Sequence, residues 1–142
     1  MSGSLRGAIA FAIALASGPG CGPSRETSER QSVMAGVERL RQIPATDTSA
    51  RIAASDDLLR VETKTPEAKR ARDACAKSYR LVAEATALTS GALAEMKDTS
   101  VRSDPKSLSE RLKRAEDLNE QAEPALKECT EAMATLASKP ER

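Results

Sequence analysis

The sequence predicts an all-α fold, a small helical bundle of three to four helices built on one long antiparallel helical hairpin. Alanine, the residue with the highest helix propensity, is abundant. Sparse leucine, valine and methionine side chains recur at spacings of three and four residues. Pro66 and Pro105 each follow a residue that can cap a helix, so they mark where the two longest helices begin. A chain of 142 residues has room for one domain.

The first two helices are expected to be the shorter ones. Ser28 and Gln31 have the spacing of a capping box, so the first helix should begin near Thr27 or Ser28 and end before Pro44. A second helix is expected over residues 47–63. The expected inward residues are Val33, Val37 and Leu40 in the first helix, and Ile52 and Leu59 in the second.

The third and fourth helices are predicted over residues 66–97 and 105–137, where the apolar spacing is most regular. The expected inward residues are Cys75, Val82, Ala85, Leu88, Ala92 and Met96 on helix three, and Leu108, Leu112, Ala115, Leu118, Ala122, Ala125 or Leu126, Cys129, Met133 and Leu136 on helix four. Pro124 removes one backbone hydrogen bond, which predicts a kink over residues 119–123.

The short connection over residues 98–104 predicts that helices three and four fold back on each other as an antiparallel pair. In such a hairpin, the numbers of facing residues sum to about twice the number at the turn centre, and Cys75 and Cys129 meet this condition. We therefore predict a disulfide between them. It would close a loop worth about 4 kcal/mol in the chain-entropy description. The alternative is two free, buried thiols.

Charged residues form blocks that favour the same register. Residues 64–80 carry mostly basic side chains. The facing part of helix four is acidic, with Glu120, Glu123, Glu128 and Glu131. Near the turn the signs reverse, with Glu84, Glu95 and Asp98 opposite Lys106, Arg111, Lys113 and Arg114. Individual exposed pairs contribute little, but the pattern favours the antiparallel arrangement.

The first twenty residues have the layout of a secretory signal. Residues 1–6 include one arginine, and residues 7–16 (GAIAFAIALA) form an apolar run that is too short to span a bilayer. Small, turn-prone residues follow at 17–20 and lead to Cys21. The chain is therefore expected to be exported. Three cysteines are an odd number, and an exported protein with an odd thiol needs an explanation.

Gly20 and Cys21 carry a resemblance to the bacterial lipoproteins, whose signal ends in a small residue before the acylated cysteine. The resemblance implies that residues 1–20 are a signal peptide that is removed and that Cys21 bears acyl chains such as palmitate. Residues 21–27 would be a flexible tether, and 28–139 the helical domain. Gly22 implies sorting to the outer membrane of the cell envelope, facing the periplasm. Several acyl chains anchor a protein stably to a bilayer. Acylation of Cys21 would leave the other two cysteines to pair.

The composition excludes several functional classes. Without residues 1–20 and their single arginine, the 22 basic residues become 21, equal to the 21 acidic ones, so nucleic-acid binding is not expected. The chain has no histidine, which removes the commonest general base and metal ligand. No phosphate-binding glycine motif is present. We therefore expect no enzymatic activity, no cofactor and no metal site.

The leading hypothesis is a membrane-tethered, non-enzymatic envelope protein with a structural or protein-interaction role. Its expected partners are the lipid bilayer, through acyl chains on Cys21, and an envelope protein. The expected contact surface lies on helix one and comprises Val33, Met34, Val37 and Leu40. The alternative is a periplasmic module that binds a ligand or a divalent metal through the acidic stretch of helix four, because oxygen ligands suit calcium and magnesium. That stretch comprises Glu116, Asp117, Glu120 and Glu123.

Overall fold

The computed structural model of the protein describes residues 22, 24–100 and 102–138. These residues form four helices, α1 (Arg25–Gln42), α2 (Thr48–Leu59), α3 (Pro66–Lys97) and α4 (Pro105–Ser138). No strand occurs within these described residues, so the predicted all-α class is confirmed. The proposed signal peptide and Cys21 lie outside them.

The long hairpin of α3 and α4 is the frame of the molecule. The two helices contain 32 and 34 residues and pack closely along each other. Cys75 and Cys129 meet across the pair, with their Cα atoms 4.6 Å apart and their sulfurs 2.05 Å apart, the distance of a disulfide. The predicted antiparallel hairpin and its cysteine pairing are therefore confirmed.

Ion pairs between the two long helices follow the predicted charge blocks. At the end of the hairpin opposite the turn, the Arg70 guanidinium lies 3.3 Å from Glu128 and 3.9 Å from Glu131. Near the turn the sign is reversed, and Arg111 on α4 pairs with Glu95 on α3. Because the residue numbers fall on one helix as they rise on the other, these contacts fix the register independently of the disulfide.

α3 and α4 begin at the two prolines that the sequence predicted, but only one of the two preceding residues caps its helix with its side chain. The Asp104 carboxylate accepts backbone N–H bonds from Lys106 at 3.2 Å and Ser107 at 3.3 Å, which caps α4 as predicted. Thr65 precedes α3, but its hydroxyl makes no cap bond. That hydroxyl instead donates to Glu29 on α1 at 3.3 Å. A tertiary contact has replaced the local one.

Helices α1 and α2 cover only one half of the hairpin. Their hydrogen bonds and ion pairs to α3 and the segment before it are made to Glu62, Lys64, Thr65 and Arg80 in the described chain. We call residues 64–80 with 124–138 of α4 the proximal half, and residues 81–97 of α3 with 105–123 of α4 the distal half. The hydrophobic core lies in the proximal half and includes Val33, Val37, Leu40, Leu58, Ala68, Ala71, Cys75, Ala76, Cys129 and Leu136. Gly36 permits close approach of α1 and α2, since a Cβ there would meet Leu58 at 2.8 Å.

Two details of the short helices differ from the sequence prediction. α1 begins at Arg25 because the Ser24 hydroxyl accepts the backbone N–H of Thr27 at 3.2 Å, so the predicted capping box at Ser28 is wrong. α2 ends at Leu59, and it is Leu58 that is buried while Leu59 is exposed. Neighbouring leucines differ by about 100° around a helix, so a small error in phase exchanges them.

In the distal half, α3 and α4 are joined by small side chains. Its buried hydrophobic residues are all alanine, namely Ala83, Ala85, Ala92, Ala115 and Ala122. The predicted inward positions of Met96 and Leu112 are wrong, because both side chains are exposed. Leu126, just outside the distal half, is exposed too, whereas its predicted alternative Ala125 is buried. Alanine side chains are short enough to be buried where the helices approach each other closely, whereas Met96, Leu112 and Leu126 remain in contact with solvent.

Helix α4 is unbroken through Pro124, which lies on its exposed surface. The proline cannot donate a backbone hydrogen bond to the preceding turn. Helical geometry continues on both sides of Pro124, so the helix is not broken there. The kink over residues 119–123 remains a prediction.

A buried carboxylate fastens α1 to the start of α3. Glu29 is 8% exposed and accepts the backbone N–H groups of Lys64 at 2.8 Å and Thr65 at 3.0 Å. Arg25 lies 3.7 Å from its other oxygen. The hydrogen bond from Lys64, followed by the one from Thr65, lowers the pKa of Glu29. The tie places the amino-terminal end of α1 beside the amino-terminal end of α3.

We predict that loss of the disulfide lowers the free energy of unfolding by about 4 kcal/mol, because a loop of this length gains entropy in the unfolded chain. The variant is Cys75→Ala with Cys129→Ala, which retains two small apolar residues in the seam. Urea denaturation followed by circular dichroism measures the change. The wild-type protein in reducing buffer is the control and should lose a similar amount. Equal stability of the oxidised wild type and the variant would contradict the prediction.

We predict that Glu29→Gln destabilises the protein at neutral pH and that this difference disappears in acid. The pKa of Glu29 is lower in the folded state than the unfolded value of about 4.3. Its stabilising contribution is therefore complete above that unfolded value and is lost as the pH falls through the folded pKa. Thermal unfolding at neutral pH and near pH 3 measures it. Glu38→Gln, at an exposed position of the same helix, is the control. A pH-independent difference would contradict this cause.

Candidate interaction surface

The predicted lipidation site, Cys21, lies outside the described residues. The chain next to it is described at Gly22 and Ser24, which are both exposed, and α1 begins directly afterwards at Arg25. The proposed tether is therefore shorter than predicted, because residues 25–27 belong to the helix. No helix of the described chain is long and apolar enough to cross a membrane.

The surroundings of Cys75 and Cys129 are those of a structural disulfide. Cys75 and Cys129 are both buried, and their neighbours in the core are mostly alanines and aliphatic side chains. Reactive cysteines usually occupy accessible, electropositive surroundings. Tyr79, one turn after Cys75, packs against the same core with Arg51 5.8 Å from the centre of its ring. This region holds the fold together and offers no open surface.

The expected contact surface on helix one is wrong. Val33, Val37 and Leu40 are completely buried, and Met34 packs against the core. α1 uses this apolar face to cover the proximal half of the hairpin. The regular spacing identified an amphipathic helix correctly, but the partner of its apolar face is the chain itself.

Of the five large apolar side chains that are exposed in the described chain, three lie on the distal half. Leu93 and Met96 on α3 are 47% and 60% exposed, and Leu112 on α4 is 39% exposed. In the register fixed by the disulfide, Leu93 and Leu112 stand at nearly the same height of the hairpin. Large exposed side chains that share one region of a small domain are typical of contact surfaces.

A shallow groove runs beside Leu112. Its volume is about 460 Å³, and it is lined by Thr89, Leu112, Ala115, Glu116, Asn119, Glu120 and Glu123. We call this feature the distal groove. Thr89 belongs to α3, so the groove follows the seam between the two helices. Glu116, Glu120 and Glu123 share one face of α4 because they are spaced by four and three residues. Asp117 does not line the groove.

The carboxylates of this acidic stretch are exposed and unpaired. No ion pair joins Glu116, Glu120 or Glu123 to another residue of the described chain. Nor do the described residues contain a group of three or more carboxylate or cysteine side chains that could hold a metal ion. Along α4 the acidic stretch thus forms one wall of the groove and lacks the convergence that a cation site needs.

Polar contacts elsewhere on the hairpin are mostly satisfied within the chain. Arg80 donates to Glu84 at 2.9 Å and also pairs with Asp56, and these contacts raise its pKa. Asp98, at the turn, accepts the hydroxyl and backbone N–H groups of Ser100, which lower its pKa. These groups stabilise helix ends and flanks, and none of them faces a cavity with a second unpaired titratable group.

The sequence contained a signal for the distal surface that the analysis by periodicity missed. Residues 85–94 (ATALTSGALA) carry no charge, although Ala87, Ser90, Leu93 and Ala94 are exposed. Charged side chains make up 30% of the chain, so ten successive uncharged residues are unusual for a helix with a solvated face. The absence of charge, rather than the spacing of leucines, indicated the surface.

Comparison with known proteins finds no matching family model, no similar curated protein and no similar solved structure. The function is therefore argued from the chain's own residues.

Proposed function

We propose that this protein is a membrane-tethered, non-enzymatic envelope protein with a structural or protein-interaction role. One observation carries the proposal, namely the exposed apolar surface at the distal half of a stiff hairpin. Leu93, Met96 and Leu112 are exposed there, whereas the large apolar residues elsewhere in the described chain are buried or partly buried except Leu59 and Leu126. A chain with so few large apolar residues would gain stability by burying these, so their exposure points to a contact with another molecule.

The geometry supports a spacer that holds this surface away from a bilayer. Only residues 22–24 separate Cys21 from α1, which allows a reach of about 10 Å. Glu29 ties the beginning of α1 to the beginning of α3, so the tether leaves from the proximal end. α3 then extends for 32 residues, or about 48 Å. With Cys21 acylated, the distal half would stand several nanometres from the lipid.

The non-enzymatic role is supported by the chemistry of the side chains. The sequence has no histidine, so general acid–base catalysis would depend on carboxylates and lysines alone. In the described chain, the three groups with shifted pKa values are held by structural hydrogen bonds or ion pairs. The zero net charge of the chain after residue 20 disfavours nucleic acid as a partner.

The alternative role as a metal-binding module is less well supported. It depends on Glu116, Asp117, Glu120 and Glu123, which follow one helix and do not converge on a point. Calorimetric titration with calcium distinguishes the two roles. Micromolar binding that is lost in Glu120→Ala with Glu123→Ala would favour the metal-binding role over the interaction role.

We predict that the protein purified from a bacterial host lacks residues 1–20 and carries acyl chains on Cys21. Intact mass spectrometry tests both features on one sample. Cys21→Ala should move the protein from the membrane fraction to the soluble or unprocessed fraction, because the acyl chains provide the anchor. Cys75→Ala is the matched cysteine control and should remain in the membrane fraction. An unmodified Cys21 in the mature wild-type protein would contradict the lipid anchor.

A further inference from the structure

We infer that the distal groove binds a basic amphipathic helix of a protein partner. The inference rests on the proposed interaction role and names the chemistry of the partner. The groove includes the apolar residues Leu112 and Ala115, its α4 wall is acidic, and its α3 side is the uncharged Thr89. A helix with a leucine stripe and lysine or arginine residues along one flank complements all three features.

Uncharged residues of the groove come from both helices. Thr86, Thr89, Ser90 and Leu93 share one face of α3, because they are spaced by three and four residues. Thr89 and Leu112 line the same groove, so this face of α3 adjoins Leu112 on α4. Small exposed residues on α3, including Ala87 and Ser90, leave room for the backbone of a packed helix to approach.

The acidic wall selects the charge of the occupant. Glu116, Glu120 and Glu123 have no ion pair within the described chain, in contrast to Glu95, which pairs with Arg111. Three carboxylates on one face repel one another at low ionic strength, and a cationic flank would relieve that repulsion. Charge complementarity of this kind favours the correct orientation and speeds association.

The shape of the surface favours a helix over an extended segment. The backbone N–H and C=O groups of α3 and α4 are hydrogen-bonded within their helices, so no free sheet edge is available for a strand. A helix satisfies its own backbone and buries one apolar face in a groove between two helices. From Leu112 to Glu123 the groove follows α4 for about 17 Å, which is about three turns of an occupying helix.

The test uses the purified full-length chain and a synthetic, fluorescently labelled peptide of about 18 residues, long enough to form a helix. The peptide carries leucines at spacings of three and four and lysines along one flank. A second peptide has glutamates in place of the lysines. Fluorescence anisotropy measures binding, and chemical-shift changes of backbone amides locate it. We expect the lysine peptide to bind and to shift the amides of Thr89, Leu112 and Asn119. We expect the glutamate peptide not to bind.

Two variants have matched controls. Glu120→Lys and Asp117→Lys change the charge equally on the same helix, but only Glu120 lines the groove. Leu112→Ala and Leu59→Ala each shorten a leucine that is about two-fifths exposed, and Leu59 lies on α2. We expect Glu120→Lys and Leu112→Ala each to weaken binding about tenfold, and the two controls to change it less than about twofold. Thermal unfolding verifies that all four remain folded.

Several results would overturn the inference. Equal weakening by Asp117→Lys and Glu120→Lys would mean that the peptide senses only overall charge. Amide shifts confined to the proximal half would place the contact elsewhere. A dimer of the chain alone that dissociates in Leu112→Ala, with no peptide binding, would identify a second copy as the occupant. None of these results depends on acylation of Cys21, so failure of the groove and failure of the membrane anchor are separable.

Discussion

The seam between α3 and α4 is the constraint on which the rest of the structure depends. Alanine side chains let the two helices approach closely, but each buries little apolar surface. At about 25 cal/mol per Å² of buried apolar surface, a seam of alanines contributes less free energy of folding than a seam filled by leucine and isoleucine. The Cys75–Cys129 disulfide compensates by limiting the freedom of the unfolded chain. It also lies in the proximal half, where α1 and α2 add the larger side chains.

This division explains why the proximal half has a core of large apolar side chains, whereas the distal half is held together by alanines. The proximal core contains Val33, Val37, Leu40 and Leu58, which are all essentially buried, and Glu29 fastens α1 over it. α1 and α2 contain 18 and 12 residues against the 32 of α3, so neither is long enough to follow α3 to its distal end. Beyond their reach the large side chains of α3 and α4 that do not point into the seam face solvent. The exposed leucines thus follow from helix lengths, and their position relative to the tether follows from the Glu29 contact.

The sequence predicted the hairpin well because its signals are local and redundant. Proline follows a capping residue at Pro66 and Pro105, the connecting segment is short, and the charges and cysteines agree on one register. The short helices were harder to predict because two serines, Ser24 and Ser28, both offer a cap, and Leu58 and Leu59 both fit an apolar face. Only the tertiary structure decides between such neighbours. The Glu29 contact with Lys64 joins residues that lie far apart in the chain, and no local pattern indicates it.

The contact surface predicted on α1 was wrong for a related physical reason. An amphipathic helix shows that one face avoids water, but the spacing of its residues does not identify what covers that face. The apolar face of α1 packs against α2 and α3, because the short α1–α2 connection lets both helices fold onto the proximal half. For the distal half, the described residues contain no further helix. Either the apolar face of α1 or the apolar side chains of the distal half could have been left exposed. The lengths of α1 and α2 decided that the side chains of the distal half are exposed. A partner helix on the distal groove would add the third layer that this half of the hairpin lacks.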